Sequence, residues 1–84
     1  MAWEIRFSKS ARKQLAALDR VAAQRILAFF HTRIQPAANP RSLGQALRGA
    51  KLGELWKYRV GDYRIIAAIE DVELVIMVVR VGHR

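Results

Sequence analysis

The segment LWKYRVGDYRI contains three cations in a stretch of eight residues: Lys57, Arg59 and Arg64. Arginine forks onto two phosphate oxygens, stays protonated, and can stabilise the negative charge of a pentacoordinate phosphorane without a metal. Lysine can also lose its proton and serve as a general base. These residue types, so close together, predict a site for a phosphate.

The turn between the cations indicates how they are arranged. Gly61 and Asp62 suit a two-residue type II′ turn, because glycine tolerates the positive φ of the first central position. In the resulting hairpin Arg59 lies opposite Arg64, and Lys57 lies on the same face. A register shifted by one residue would separate them.

Opposed like charges destabilise a sheet by about half a kcal/mol, and rules broken without structural gain tend to mark functional sites. The alternative is a solvated outer face whose arginines point into water. Three converging cations without an interleaved carboxylate favour the anion site.

The rest of the composition narrows the function classes. The 84 residues form one domain (1–84) with 15 Lys and Arg, seven Asp and Glu, a net charge of +8 and no cysteine. This charge implies nucleic acid or an acidic protein as partner, although a solubilising surface is the alternative. No signal peptide or membrane-spanning run is apparent, which predicts a cytoplasmic protein. The scattered acids predict no metal site and no cofactor. His31, within a helix, is expected at the surface or in packing.

The elements that position the cations follow from periodicity and capping. A strand over 3–7 precedes two helices, capped by Ser8 and Asp19 and ended by Pro36. A loop with one short helical piece follows. Strands over 53–60, 63–70 and 74–81 then form an antiparallel meander. The sequence predicts an α+β fold with the helices on one face of the sheet. Its core side should carry Trp3, Trp56, Tyr58, Val60, Tyr63, Ile65 and Ile69.

Several segments resemble the RelE branch of the RelE/ParE toxin superfamily. They are FSKSARKQL, NPRSLGQALRG, LRGAKLGELWKYRVGDYRII and VIMVVRVGHR, with VGHR the most specific. The resemblance spans the whole chain. It implies a RelE-like fold and a metal-independent endoribonuclease that cuts mRNA in the ribosomal A site. The 2′-OH would attack the phosphorus and leave a 2′,3′-cyclic phosphate. It also implies an antitoxin partner, expected to be acidic and partly disordered.

The resemblance assigns catalytic roles to Lys57, Arg59, Arg64 and Arg84. Arg64 and Arg84 would hold the phosphate, and Lys57 is the better candidate base. His83 would stack on a base or transfer a proton, and Arg48 and Lys51 are further candidates for substrate binding. RelE-like toxins usually continue past this point with a tyrosine-bearing tail, so weaker cleavage is expected if Arg84 is the true end.

Two other functions fit parts of the pattern. A ParE-like inhibitor of DNA gyrase would act by protein binding, without nuclease activity. A plain RNA-binding domain would usually expose aromatics for base stacking, whereas the aromatics here are predicted in the core.

Overall fold

A computed structural model describes residues 2–47 and 55–83 of the chain. The described strands form one five-stranded sheet in the order β1-β5-β4-β3-β2. The predicted α+β fold, with a helical pair followed by an antiparallel meander, is confirmed. The elements are β1 (Glu4–Phe7), α1 (Lys9–Ala16), α2 (Arg20–Phe29), β2 (Gln45–Ala46), β3 (Leu55–Val60), β4 (Tyr63–Glu70) and β5 (Val75–His83).

Both helices begin at the predicted caps. The Ser8 side chain accepts from the Ala11 amide, and the Asp19 carboxylate accepts from the Ala22 amide at 2.7 Å. After α2 the backbone continues as a π-helical turn over Phe30–Ile34. The second helical segment thus ends just before Pro36, as predicted. Neither described helix is long and apolar enough to cross a membrane.

The sheet contains pairings that the sequence did not predict. β1 runs parallel to β5, which therefore lies inside the sheet between β1 and β4. The largely apolar β5 is thus an interior strand of the sheet. The predicted loop contains the short 3₁₀ helix Pro40–Leu43 and also β2, which adds an edge beside β3.

The boundaries of the meander differ slightly from the prediction. β4 has the predicted bounds, whereas β5 extends two residues beyond the predicted end at 81. His83 therefore lies in the last strand and not after it, and it pairs with Tyr63. The two first residues of the predicted strand 53–60 lie outside the described residues, and β3 begins at Leu55.

One side of the sheet packs against the helices and forms the core. Trp3, Tyr58, Ile65 and Ile69 are buried there, and Trp56, Val60 and Tyr63 are partly buried against them. Every residue that the sequence placed on the core side is therefore found on it. The opposite side carries the cations.

Candidate functional site

The hairpin of β3 and β4 brings the three predicted cations together. Arg59 pairs directly with Arg64, and Lys57 lies opposite Ile66. Both arginines are exposed and the lysine is partly buried. The predicted register is confirmed residue by residue.

The turn of this hairpin has the predicted geometry. Gly61 has a φ of 59°, and Asp62 does not share this left-handed conformation. A positive φ at the first central position alone is the pattern of a type II′ turn, whose twist suits the strands. The turn residues thus fix the register that opposes the two arginines.

A fourth cation, Arg80, joins the same face and was missed by sequence reasoning. It lies on β5 directly opposite Ile66, so Lys57, Ile66 and Arg80 form one row across three strands. The Arg80 side chain is exposed, and its neighbour Val81 is buried on the core side.

A β-bulge explains why the sequence did not reveal Arg80. The pairing of β4 with β5 shifts between Ile66 and Ala67, and Val79 is the extra residue of the bulge. Strict alternation from the buried Val78 would turn residue 80 toward the core; the bulge turns it outward instead. The sequence did contain a signal for Arg80, because strand alternation assigns this charged residue to the core.

The four cations border two clefts that meet at Lys57. The larger has a volume of about 470 Å³ and lies between β3 and the loop before β2. The smaller measures about 350 Å³ and lies over β4 and β5. The first is lined by Ser42, Leu43, Gly44, Gln45, Lys57 and Arg59, and the second by Leu47, Lys57, Arg64, Ile66, Arg80, Gly82 and His83.

The loop can approach the lysine because position 44 is glycine. A Cβ on Gly44 would lie 2.9 Å from the backbone oxygen of Lys57 and 2.8 Å from the Tyr58 ring. The Tyr58 hydroxyl in turn donates to the Pro40 carbonyl at 2.8 Å, anchoring the loop to β3. Burial raises the pKa of Tyr58 to about 12. The anchor therefore stays protonated and keeps donating across the physiological pH range.

The positive charge of this face is not neutralised locally. Within residues 2–47 and 55–83, no carboxylate forms an ion pair with Lys57, Arg59, Arg64 or Arg80. Several acidic residues lie instead around the β4–β5 turn, at the other end of β4. Two of them form ion pairs with other arginines. A hydrogen bond from Arg6 lowers the pKa of Glu4, and a hydrogen bond from Arg41 lowers the pKa of Asp71.

The end of β5 is held in place by α1. The Gln14 side-chain oxygen accepts from the Val81 amide at 2.7 Å, beyond the four residues of β5 that pair with β1. The Ser8 hydroxyl donates weakly to the Val79 carbonyl, at 3.4 Å. These contacts fix the backbone on both sides of Arg80.

The histidines have different surroundings. The exposed His83 ring contacts Tyr63 edge to face, with 5.0 Å between the ring centroids, and it lines the cleft of Arg80. His31 lies on the surface of the π-helical turn and hydrogen-bonds Gln35 at 2.9 Å. His31 thus lies at the surface, as expected.

Three predicted site residues, Arg48, Lys51 and Arg84, lie outside the described residues. The part of the chain that the structure describes has no group of three or more His, Cys, Asp or Glu side chains placed to hold a metal ion.

Comparison with known proteins identifies the family. Residues 5–84 match the family model described as ParE toxin of type II toxin–antitoxin system, parDE. The chain belongs to this toxin family. No curated protein sequence matches it. The predicted resemblance to the RelE/ParE superfamily is thereby confirmed at the level of the superfamily.

Solved toxin structures share the whole fold. The toxin–antitoxin complex RelBE2 from Mycobacterium tuberculosis matches with a TM-score of 0.87 and 26% identity, over 100% of both chains. The archaeal RelE–RelB complex from Pyrococcus horikoshii OT3 matches at 0.73 and 24%, over 100% of this chain and 97% of that one. The intact E. coli RelBE complex matches at 0.67 and 19%, over 99% and 98%.

Proposed function

We propose that this toxin is a metal-independent endoribonuclease that cuts mRNA on the ribosome and thereby inhibits translation. The observation that carries the proposal is the direct pairing of Arg59 with Arg64 beside Lys57, without a neutralising carboxylate among the described residues. Such a pair opposes folding, and a phosphate bound over it would compensate the repulsion.

The cation types divide the work of an RNA-cleaving reaction. Lys57 takes the proton of the 2′-OH, whose oxygen attacks the adjacent phosphorus. Arg59 and Arg64 stabilise the charge of the phosphorane, with Arg84 as a further proposed contact. The bond from phosphorus to the 5′-oxygen breaks, and that oxygen takes up a proton, for which His83 is the proposed donor. The products are a 2′,3′-cyclic phosphate and a 5′-OH.

Primer extension on an mRNA in a purified translation system tests the proposal. We expect codon-positioned cuts with the toxin and a loss of about 10²–10³ in cleavage rate for Arg64→Ala, the size typical when one charge-stabilising donor is removed. Arg33→Ala is the matched control, because this exposed arginine lies on the helical side of the sheet. Equal cleavage by the toxin and Arg64→Ala would contradict the proposed role of the cations.

A ParE-like function is the second candidate, favoured by the family model itself. In this alternative the toxin inhibits DNA gyrase by binding it, without nuclease activity. Replacing Lys57 or Arg64 by alanine would then leave growth inhibition largely intact. Absence of ribosome-dependent cuts together with gyrase inhibition would establish this alternative.

We also propose a cognate antitoxin as partner, together with the ribosome and mRNA. The similar structures from M. tuberculosis, P. horikoshii and E. coli are complexes with their antitoxins. The exposed cations of this chain suit an acidic, partly disordered partner that orders on binding.

A further inference from the structure

Arg80 lies on the far side of Ile66 from Lys57. All three occupy one row of the outer face, on β5, β4 and β3. Neighbouring strands lie about 4.8 Å apart, so the backbones of the two cationic positions are about 10 Å apart. A phosphate seated over Lys57 and Arg59 on β3 therefore lies two strands away from Arg80.

The space beside Arg80 is open. Gly82, the pairing partner of Arg64, has no heavy atom within 4 Å of the position where a Cβ would lie. The resulting cleft has a volume of about 350 Å³. This cleft combines cations with the apolar side chains of Ile66 and Leu47, as expected for a ligand that alternates charged and apolar groups.

We propose that Arg80 binds a second phosphate of the RNA, adjacent to the phosphate that is cut. The backbone of the RNA then crosses the outer face from β3 to β5, and the nucleoside between the two phosphates lies against Ile66. This inference rests on the proposed nuclease function and adds a substrate subsite to the same face.

A structural role for Arg80 has little support. Its side chain is exposed, and within the described residues no hydrogen bond or ion pair holds it. The bulge at Val79 directs it outward from a strand that is otherwise largely apolar, at the expense of regular pairing. Arginine is also the residue type that grips a phosphate with two parallel hydrogen bonds.

The test is binding to a 2′-deoxy trinucleotide, which has two phosphates and cannot be cut because it lacks the attacking hydroxyl. Two further ligands carry a neutral methylphosphonate at one or the other phosphate. Fluorescence anisotropy then measures the affinity for each. We expect the toxin to bind the fully charged ligand about tenfold more tightly than either neutralised one, the scale of one charge-assisted hydrogen bond.

The Arg80→Ala variant should bind the fully charged ligand about tenfold more weakly and should no longer respond to neutralisation of one particular phosphate. The slope of log affinity against log salt concentration should become shallower by about 0.7, the change expected when one phosphate contact to a single strand is lost. Arg80→Lys, which keeps the charge and loses the fork, should be intermediate. Arg33→Ala should match the unmodified toxin.

Each other outcome has a defined meaning. Equal affinity and salt dependence of Arg80→Ala and the unmodified toxin, or no binding by the toxin, overturns the second phosphate site. Ribosome-dependent cleavage that needs Arg64 but not Arg80 overturns the subsite alone. Binding that depends on Arg80 without any cleavage overturns the nuclease function and leaves the phosphate site.

Discussion

At the scale of single residues, the opposed arginines trade stability for function. Arg59→Thr should raise the free energy of unfolding by about 0.5 kcal/mol, because it removes a like-charge pair across two strands. The same variant should lose cleavage. Urea unfolding measures the first effect and primer extension the second.

The stabilisation by Arg59→Thr could also come from the preference of threonine for strands, and its dependence on salt distinguishes the two causes. At about 1 M salt the Debye length falls to about 3 Å, so the stabilisation by Arg59→Thr should shrink. Arg6→Thr is the matched control: Arg6 lies on a strand of the same sheet but pairs with Glu4 at 2.8 Å. Arg6→Thr removes an attraction, so it should lower the free energy of unfolding, and high salt should make that loss smaller. An unchanged Arg59→Thr effect in high salt would argue against the repulsion.

At the scale of elements, local chemistry determined what could be predicted. The pairing of Arg59 with Arg64 follows from the turn at Gly61, and the helix starts follow from their caps, because both depend on neighbouring residues. The parallel pairing of β1 with β5 joins residues about 70 positions apart, and no local pattern specifies it. The bulge at Val79 also depends on tertiary packing, and it concealed Arg80.

The contact between α1 and β5 gives a prediction at this scale. Gln14→Ala should leave the Val81 amide without its side-chain acceptor and lower the free energy of unfolding by about 1 kcal/mol. Cleavage should fall further than stability alone explains, because β5 carries both Arg80 and His83. Hydrogen exchange at the Val81 amide and primer extension measure the two effects.

Gln24→Ala is the control for this substitution, since Gln24 is an exposed glutamine of α2. It should change neither exchange at Val81 nor cleavage. If Gln14→Ala destabilises the fold and leaves the cleavage rate of the folded fraction intact, α1 supports β5 without positioning the site.

At the scale of the whole molecule, the charges are distributed unevenly. The net charge is +8. The four cations of the outer face lie toward the Gly61 turn, which carries one acid, Asp62, whereas Glu70, Asp71 and Glu73 lie at the opposite end of β4. About six residues of strand, or about 20 Å, separate Arg64 from Glu70. This distance exceeds the Debye length of about 8 Å at physiological salt, so the acidic end does not screen the basic one. A polyanion is therefore attracted to one end of the outer face.

This polarity predicts that the antitoxin and RNA compete for the same surface. Titrating the purified antitoxin into toxin bound to the labelled 2′-deoxy ligand should release the ligand with a stoichiometric end point. Primer extension with the saturated complex should show no cuts. The arginines of the outer face should also contribute to antitoxin affinity, so Arg59→Thr should weaken that complex while Arg33→Ala should not. Ligand retained by the saturated complex, or cleavage by it, would mean that the antitoxin binds elsewhere and acts without covering the cations.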